Sequence, residues 1–186
     1  MNAAGESAPG MNPPSPVFSF RQAGPGDAAV AGASVHAAFE RYREFAPPFW
    51  RPPELVAQVE RLRGLLSDGL IWCVLAETDE GEGIAGQVSF VPADAARGPA
   101  GDEPHLAHLS GLFVEPRWWG SGVAATLHDK ALAEAARRGY TSMRLFTPAG
   151  QARARRFYER EGWAAATERS DVAAGLPTVE YRRGLG

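Results

Sequence analysis

The chain has 186 residues, a mass of 19.9 kDa and a formal net charge of −3, with 45% apolar and 22% charged residues. These values indicate one ordinary soluble domain and argue against a two-domain enzyme. No apolar run is long enough to cross a membrane and no secretion signal is present, so we expect a cytoplasmic protein without membrane association. The charge balance excludes non-specific nucleic-acid binding. Cys73 is the only cysteine, which excludes an intramolecular disulfide and a cysteine-based zinc site.

The first residues differ from the rest of the chain in composition. Residues 1–16 are rich in Ala, Gly, Pro, Ser and Asn and show no hydrophobic periodicity. Such a segment buries too little apolar surface to offset the entropy lost on ordering. We therefore expect a disordered tail, followed by one domain over residues 17–186.

The N-terminal part of this domain is predicted to contain a strand, two helices and a stiff loop. Alternating aromatic residues predict a strand over residues 17–21, and a Gly-Pro-Gly turn followed by Asp27 predicts a helix that ends near residue 42 or 45. Four prolines exclude helix and central strand from residues 46–53. Apolar residues at spacings of four, three and four predict an amphipathic helix over residues 54–66.

The remainder of the domain mixes strands and helices. An apolar run and an alternating segment on either side of a Glu-Gly-Glu-Gly turn predict a hairpin of residues 71–76 and 84–91. A loop rich in Gly, Pro and Ala follows over residues 92–104. The other elements are predicted as a strand at 105–114, a helix at 120–138, a strand at 141–146, a helix at 151–161 and two closing strands at 163–169 and 178–182.

This order of elements predicts the fold class. Strands joined by short turns are antiparallel, whereas a strand, helix and strand unit is parallel, so the sheet must be mixed. We expect a single α+β domain with a mixed, mostly antiparallel central sheet of about seven strands flanked by helices.

The most informative segment ends a predicted strand and begins the long helix. It reads LFVEPRWWGSGVAA over residues 112–125, and its glycines let a phosphate approach free amides at a helix N-terminus. This pattern predicts an anion site suited to a pyrophosphate. A bare Gly-x-Gly pair is equally compatible with a tight turn that binds nothing.

The same glycines satisfy the dinucleotide-binding fingerprint, G-x-G-x-x-G/A, at Gly120, Gly122 and Ala125. That motif also needs an acidic residue about 20 positions later to hold a ribose, and this sequence has none there. The P-loop pattern is absent as well. A nicotinamide oxidoreductase is therefore disfavoured.

Two motifs together resemble the GNAT family of N-acetyltransferases. In that family a strand ending in L-x-V-x-P leads to R/Q-G-x-G-x-G/A, which corresponds here to residues 112–116 and 119–124. A second family element, N-x-x-A-x-x-F/L-Y-x-x-x-G-F, corresponds to residues 151–163. The first motif has Trp119 in place of the usual Arg or Gln, although a second frame that starts at Arg117 keeps an Arg and shifts the register by two. The second motif begins with Gln in place of Asn.

The resemblance covers about residues 17–183 and implies a co-substrate. In the family, acetyl-CoA lies where two parallel strands splay apart, and no metal is needed. The backbone of Leu112, Phe113 and Val114 would pair with the pantetheine arm. Gln151 would be a further cofactor-binding residue. The pyrophosphate would be held by the residues of the turn and the first helical residues, which are Trp119, Gly120, Ser121, Gly122, Val123 and Ala124.

The resemblance also implies catalytic residues. Tyr158 would donate its phenolic proton to the departing thiolate, although packing at a helix end is its alternative role. His108 lies where many family members carry a glutamate, so it is a candidate base or proton relay, or else a histidine satisfied within the sheet. Strand alternation, in the absence of a bulge, groups Leu106, His108, Ser110 and Leu112 on one face, where Ser110 would position the acceptor or a water molecule.

The acceptor itself is the least determined feature. Phe49 and Trp50 are candidate walls of a pocket for a hydrophobic amine, and ordinary core packing explains them equally well. We expect an N-acetyltransferase that transfers the acetyl group of acetyl-CoA to a primary amine of a small molecule or peptide by direct attack in a ternary complex. The alternative is a non-catalytic module that binds acetyl-CoA or another acyl-CoA. The acyl preference and the formation of a homodimer stay open.

Overall fold

The computed structural model describes residues 17–79, 83–96, 103–173 and 175–186. The predicted disordered tail lies outside these residues. The strands are β1 Phe18–Gln22, β2 Trp72–Thr78, β3 Ile84–Pro92, β4 Leu106–Val114, β5 Ser142–Pro148, β6 Ala164–Ala173 and β7 Leu176–Gly184. The α-helices are α1 Ala28–Glu40, α2 Leu55–Ser67, α3 Val123–Arg137 and α4 Ala152–Arg160. Within the described ranges, no helix is both long and apolar enough to span a membrane.

The seven strands form one mixed sheet in the order β1-β2-β3-β4-β5-β7-β6. Five neighbouring pairs are antiparallel, and only β4 and β5 run parallel. The chain is a single α+β domain, so the predicted fold class and the predicted order of strands and helices are confirmed.

Helices cover both faces of the sheet. On one face, α3 and α4 pack on a large apolar core that includes Leu127, Leu145 and Trp163. On the other face, α1 and α2 pack on a smaller core that includes Ala31, Leu62 and Leu75. The sheet is thus buried on two sides, as a mixed sheet with helical crossovers requires.

A β-bulge in β4 changes which side chains share a face. Ser89 of β3 lies opposite Gly111 while Phe90 lies opposite Leu109, so Ser110 is an extra residue in the ladder. A bulge shifts the alternation by one position. Leu112 therefore packs on the α3 face, and Phe113 contacts Phe39 of α1 on the other face. The predicted grouping of Leu112 with His108 is wrong for this reason.

The contact between α1 and α2 generates a prediction. A Cβ atom added at Gly32 of α1 would lie 2.7 Å from Val59 Cγ2 and 3.1 Å from Val59 Cα, because the helices touch there. We expect Gly32→Ala to lower the free energy of unfolding by about 1 to 3 kcal/mol in urea denaturation. Gly64 of α2, where nothing lies within 4 Å of such a Cβ, is the matched control. Gly64→Ala should raise stability by about 0.5 to 1 kcal/mol, and a Gly32→Ala protein as stable as wild type would contradict the packing described.

Candidate functional site

The parallel strands β4 and β5 separate soon after they begin to pair. Their ladder joins only Leu106–His108 to Ser142–Arg144. Beyond it, the Glu115 amide donates to the Ala85 carbonyl of β3 at 2.9 Å. Since backbone groups of successive strand residues point to alternate sides, those of Leu112 and Val114 point away from β3 into the gap. The gap is a wedge with an unpaired strand edge along one side.

The turn before α3 lies at the mouth of this wedge. Gly120 and Gly122 have φ values of 88° and 87°, a left-handed conformation that favours glycine. The first backbone hydrogen bond of α3 runs from the Thr126 amide to the Gly122 carbonyl at 3.1 Å. Among the described residues, the amides of Gly120, Gly122, Ala124 and Ala125 have no acceptor. Four amides are therefore available to an anion, with the positive end of the helix dipole behind them.

Three amides of the predicted phosphate-binding segment are engaged within the turn. Those of Trp119 and Ser121 donate to the carbonyls of Pro116 and Trp118, and that of Val123 donates to Ser121 Oγ. The Ser121 hydroxyl itself donates to the Trp118 carbonyl at 2.7 Å. These residues shape the turn, and the amides left for a ligand belong to the two glycines and the first turn of α3.

Trp119 lies across the mouth of the wedge. Its Nε1 donates to the Val114 carbonyl at 3.0 Å, at the unpaired edge of β4. The Arg41 guanidinium lies 4.7 Å, and that of Arg153 3.9 Å, from the centre of the Trp119 ring. Side chains from the end of α1 and the start of α4 therefore meet on this indole.

Tyr158 lies on α4, with its ring in the core on the α3 and α4 face of the sheet. It is 7% exposed and contacts Phe157, Trp163 and Tyr181. Burial raises the pKa of the Tyr158 phenol, and the nearby phenol of Tyr42 raises it further. Because its pKa is raised, the phenol is neutral near pH 7. No group among the described residues forms a hydrogen bond with the Tyr158 hydroxyl, so its proton is available.

His108 is held in an apolar and electropositive setting. Its ring centre lies 5.3 Å from that of Phe146. Although the residue as a whole is only partly buried, its Nδ1 is shielded from solvent and lacks a partner among the described residues. Burial, helped by the cations Arg144 and Arg61, lowers the pKa of His108 to about 3. The imidazole is therefore neutral near pH 7 and binds a proton only weakly.

The other two polar candidates are placed differently. Ser110 Oγ lies 2.9 Å from Ser89 Oγ on the same side of the sheet as His108, as the strand alternation before the bulge predicts. Gln151 is the N-cap residue of α4 and is partly buried, and its side chain makes no capping hydrogen bond. Ser110 is thus close to the start of the gap, and Gln151 stands at the end of the helix that carries Tyr158.

The structure separates the two predicted pocket residues. Phe49 is 82% exposed, whereas Trp50 is 8% exposed and packs with Tyr42 and Leu176. Phe45 closes this cluster against the loop after β5, since a Cβ at Gly150 would lie 2.6 Å from its ring. Sequence reasoning did not single out Tyr42 as a site residue. Its only signal was the high density of aromatic residues around the end of α1.

Within the described ranges, no group of three or more His, Cys, Asp or Glu residues is arranged to hold a metal ion. Cys73 is buried under α1, and burial raises the pKa of its thiol to about 12. The thiol is therefore not ionised near pH 7.

The splayed strands and the glycine turn are features of an acetyltransferase fold, and the family comparison agrees. The profile of the acetyltransferase (GNAT) family matches residues 35–163, which span α1 to Trp163 and include β4, the glycine turn and α4. This match covers more than half of the 186 residues, so the chain belongs to the GNAT family. It is accordingly an acyltransferase. None of the curated proteins compared with this chain matches its sequence.

Solved structures share the whole fold at low sequence identity. A GNAT-family protein of Desulfovibrio desulfuricans, proposed to be an acetyltransferase, aligns with a TM-score of 0.68 and 22% identity over 91% of this chain and 100% of its own. The yncA protein of Salmonella typhimurium, whose structure contains acetyl-CoA, gives 0.64 and 16% over 91% and 94% of the two chains. The PaiA N-acetyltransferase of Thermoplasma acidophilum, in complex with coenzyme A, gives 0.63 and 12% over 90% and 99%.

The surroundings of His108 generate a prediction for pH-dependent stability. Its pKa falls from 6.5 to about 3 on folding, so between these values the unfolded chain binds more protons than the folded one. The free energy of unfolding should therefore fall as the pH drops through this window, by at most about 1.4 kcal/mol per pH unit from this residue. Above pH 6.5 the residue should contribute nothing.

Urea denaturation at several pH values measures this effect. We expect His108→Leu to lose less stability than wild type on acidification, because the titrating ring is gone. His128, whose pKa burial also lowers, acts in the same direction and is present in both proteins. Parallel stability curves for wild type and His108→Leu would contradict the assigned environment.

Proposed function

We propose that this protein transfers the acetyl group of acetyl-CoA to a primary amine by direct attack within a ternary complex. The observation that carries the proposal is the wedge between β4 and β5 with four free amides at its mouth, together with the buried phenol of Tyr158 in the core on the α3 and α4 face of the sheet. Such a site can hold a diphosphate at one position and a thioester at another.

In this proposal, backbone groups form most of the hydrogen bonds to the co-substrate. The backbone groups of Leu112 and the amide of Val114 suit the amides of a pantetheine arm, which would lie along β4 as an added strand, while the Val114 carbonyl accepts from Trp119 Nε1. The amides of Gly120, Gly122 and Ala124 suit the diphosphate. Local amides explain how a protein with a net charge of −3 would bind so anionic a molecule.

The reaction needs a neutral amine, and most amines are protonated near pH 7. The amine nitrogen attacks the thioester carbonyl, the carbon–sulfur bond breaks, and the amine loses a proton while the thiolate gains one. With a pKa of about 3, His108 cannot hold the amine's proton. We assign it a smaller role: because Nδ1 is shielded from solvent, the other ring nitrogen, Nε2, accepts a hydrogen bond from the amine or from a water molecule that passes the proton to solvent.

Tyr158 is the proposed general acid. Its neutral phenol donates its proton to the departing sulfur and regains one from solvent, which has taken up the proton of the amine. The low-dielectric surroundings that raise the pKa of the phenol also disfavour a free thiolate there. Its contacts with Trp163 and Phe157 fix the ring at the end of α4. Packing and catalysis are therefore joint roles of this residue.

The acceptor is proposed to be an amine of a small molecule or a peptide that carries an apolar group. Tyr42, Phe45 and Trp50 line the α1 side of the region next to the loop after β5, and Phe49 stands exposed beside them. Such aromatic surfaces favour apolar or cationic partners over anionic ones.

Tyr158→Phe tests the acid. Turnover, followed by release of free thiol, should fall about 100-fold or more, because the sulfur loses its proton donor. The affinity for coenzyme A should stay within about twofold of wild type, since the ring is kept. Tyr140→Phe is a matched control outside the wedge, where the ring packs against Phe90. Full activity of Tyr158→Phe would remove the acid from the mechanism.

Phe49→Ser tests the acceptor wall. Loss of one apolar contact should raise KM for the amine about three- to tenfold, with kcat and coenzyme A affinity nearly unchanged. Val56→Ser, on the exposed surface of α2, is the control, because Val56 is likewise exposed, at 66%, and apolar. Equal KM values for wild type and Phe49→Ser would assign Phe49 to the surface alone.

A further inference from the structure

Trp119 brings together two arginines that are distant in sequence. Arg41 follows the last residue of α1, and Arg153 lies in the first turn of α4. Both guanidinium carbons lie within 4.7 Å of the indole centre. The indole is itself fixed by the hydrogen bond from its Nε1 to the Val114 carbonyl. One aromatic ring therefore places two cations at the mouth of the wedge.

Neither of these two cations has a carboxylate partner among the described residues. Nearby cations are paired: Arg43 with Glu40, and Arg117 with Glu115. Elsewhere Arg137 and Arg138 share one carboxylate on α3. Arg41 and Arg153 thus carry uncompensated positive charge in a protein whose overall charge is negative.

Stacking leaves the hydrogen-bond donors of both groups available. A guanidinium contacts an aromatic ring through its flat face, whereas its N–H donors point outward in the plane of the group. Those donors match the oxygens of a phosphate in a fork geometry. The stack therefore orients the arginines and leaves their N–H donors available to a ligand.

The stack also adjoins the free amides. Trp119 directly precedes Gly120, the first residue of the turn with an unbonded amide. The helix N-terminus supplies neutral donors and about half a positive charge, while the arginines supply two full charges. Coenzyme A carries a diphosphate and a further phosphate on its ribose, which is more negative charge than amides alone would neutralise.

We propose that Arg41 and Arg153 bind phosphate groups of the coenzyme, and that Trp119 holds both of them in place. This proposal rests on the proposed function, because it assigns residues to the same co-substrate. Trp119 stands where the family usually has Arg or Gln; here an indole and two recruited arginines take over that position. The three residues are binding and positioning residues, with no part in proton transfer.

Calorimetric titration tests the proposal with two probes. Coenzyme A carries the phosphates, and S-acetylpantetheine carries the thioester arm without them. Arg41→Gln and Arg153→Gln should each weaken coenzyme A binding about five- to tenfold, and the double variant more strongly. Binding of S-acetylpantetheine should be unchanged in all of them. Added salt should weaken coenzyme A binding more in wild type than in the double variant.

Two matched controls keep the outcome specific. Arg156→Gln removes an exposed cation from the same helix that does not contact Trp119, and Arg43→Gln removes one close to Arg41. Both should bind coenzyme A as wild type does. Unchanged affinity in Arg41→Gln and Arg153→Gln, or an equal loss for both probes, would overturn the assignment of the arginines. Failure of wild type to bind coenzyme A would overturn the proposed function as well.

Discussion

Strands β4 and β5 pair over three residues and then part, so one strand edge in the middle of the sheet is left without a neighbour. An unpaired edge inside a protein is costly unless something else bonds to it. Trp119 satisfies one group at this edge through the Val114 carbonyl, and the remaining groups of Leu112 and Val114 are open to a ligand. The glycine turn, α4 and the aromatic cluster all lie around this gap. The site therefore arises from the separation of β4 and β5.

Much of this arrangement could be predicted from the sequence, because local patterns determined it. The small-residue turn before α3 follows from residue type, as does the proline-rich loop after α1. The bulge at Ser110 could not be predicted, since its neighbours read as an unbroken alternation and only the register against Ser89 reveals the extra residue. Long-range contacts were equally hidden: nothing in the sequence places Arg41 and Arg153 against the ring of Trp119.

The same limit applies to the candidate base. The sequence assigns His108 an ordinary imidazole, whereas the folded chain surrounds it with Phe146, Arg144 and Arg61. Apolar burial and like charge both disfavour the protonated ring, and both arise from residues remote in the chain. A proposed acid–base role therefore depends on the tertiary environment more than on residue identity. Tyr158 differs, because burial favours the neutral form that an acid needs.

His128 connects α3 to the aromatic side chains around Tyr158. It is fully buried in α3, and its Nε2 accepts a hydrogen bond from Trp163 Nε1 at 2.9 Å. Trp163 in turn touches the Tyr158 ring, with centres 5.8 Å apart. Helix α3, whose N-terminus is the proposed phosphate site, is thereby connected to the tryptophan that packs against Tyr158. The proposed phosphate site and the proposed acid are therefore linked through two buried side chains, His128 and Trp163.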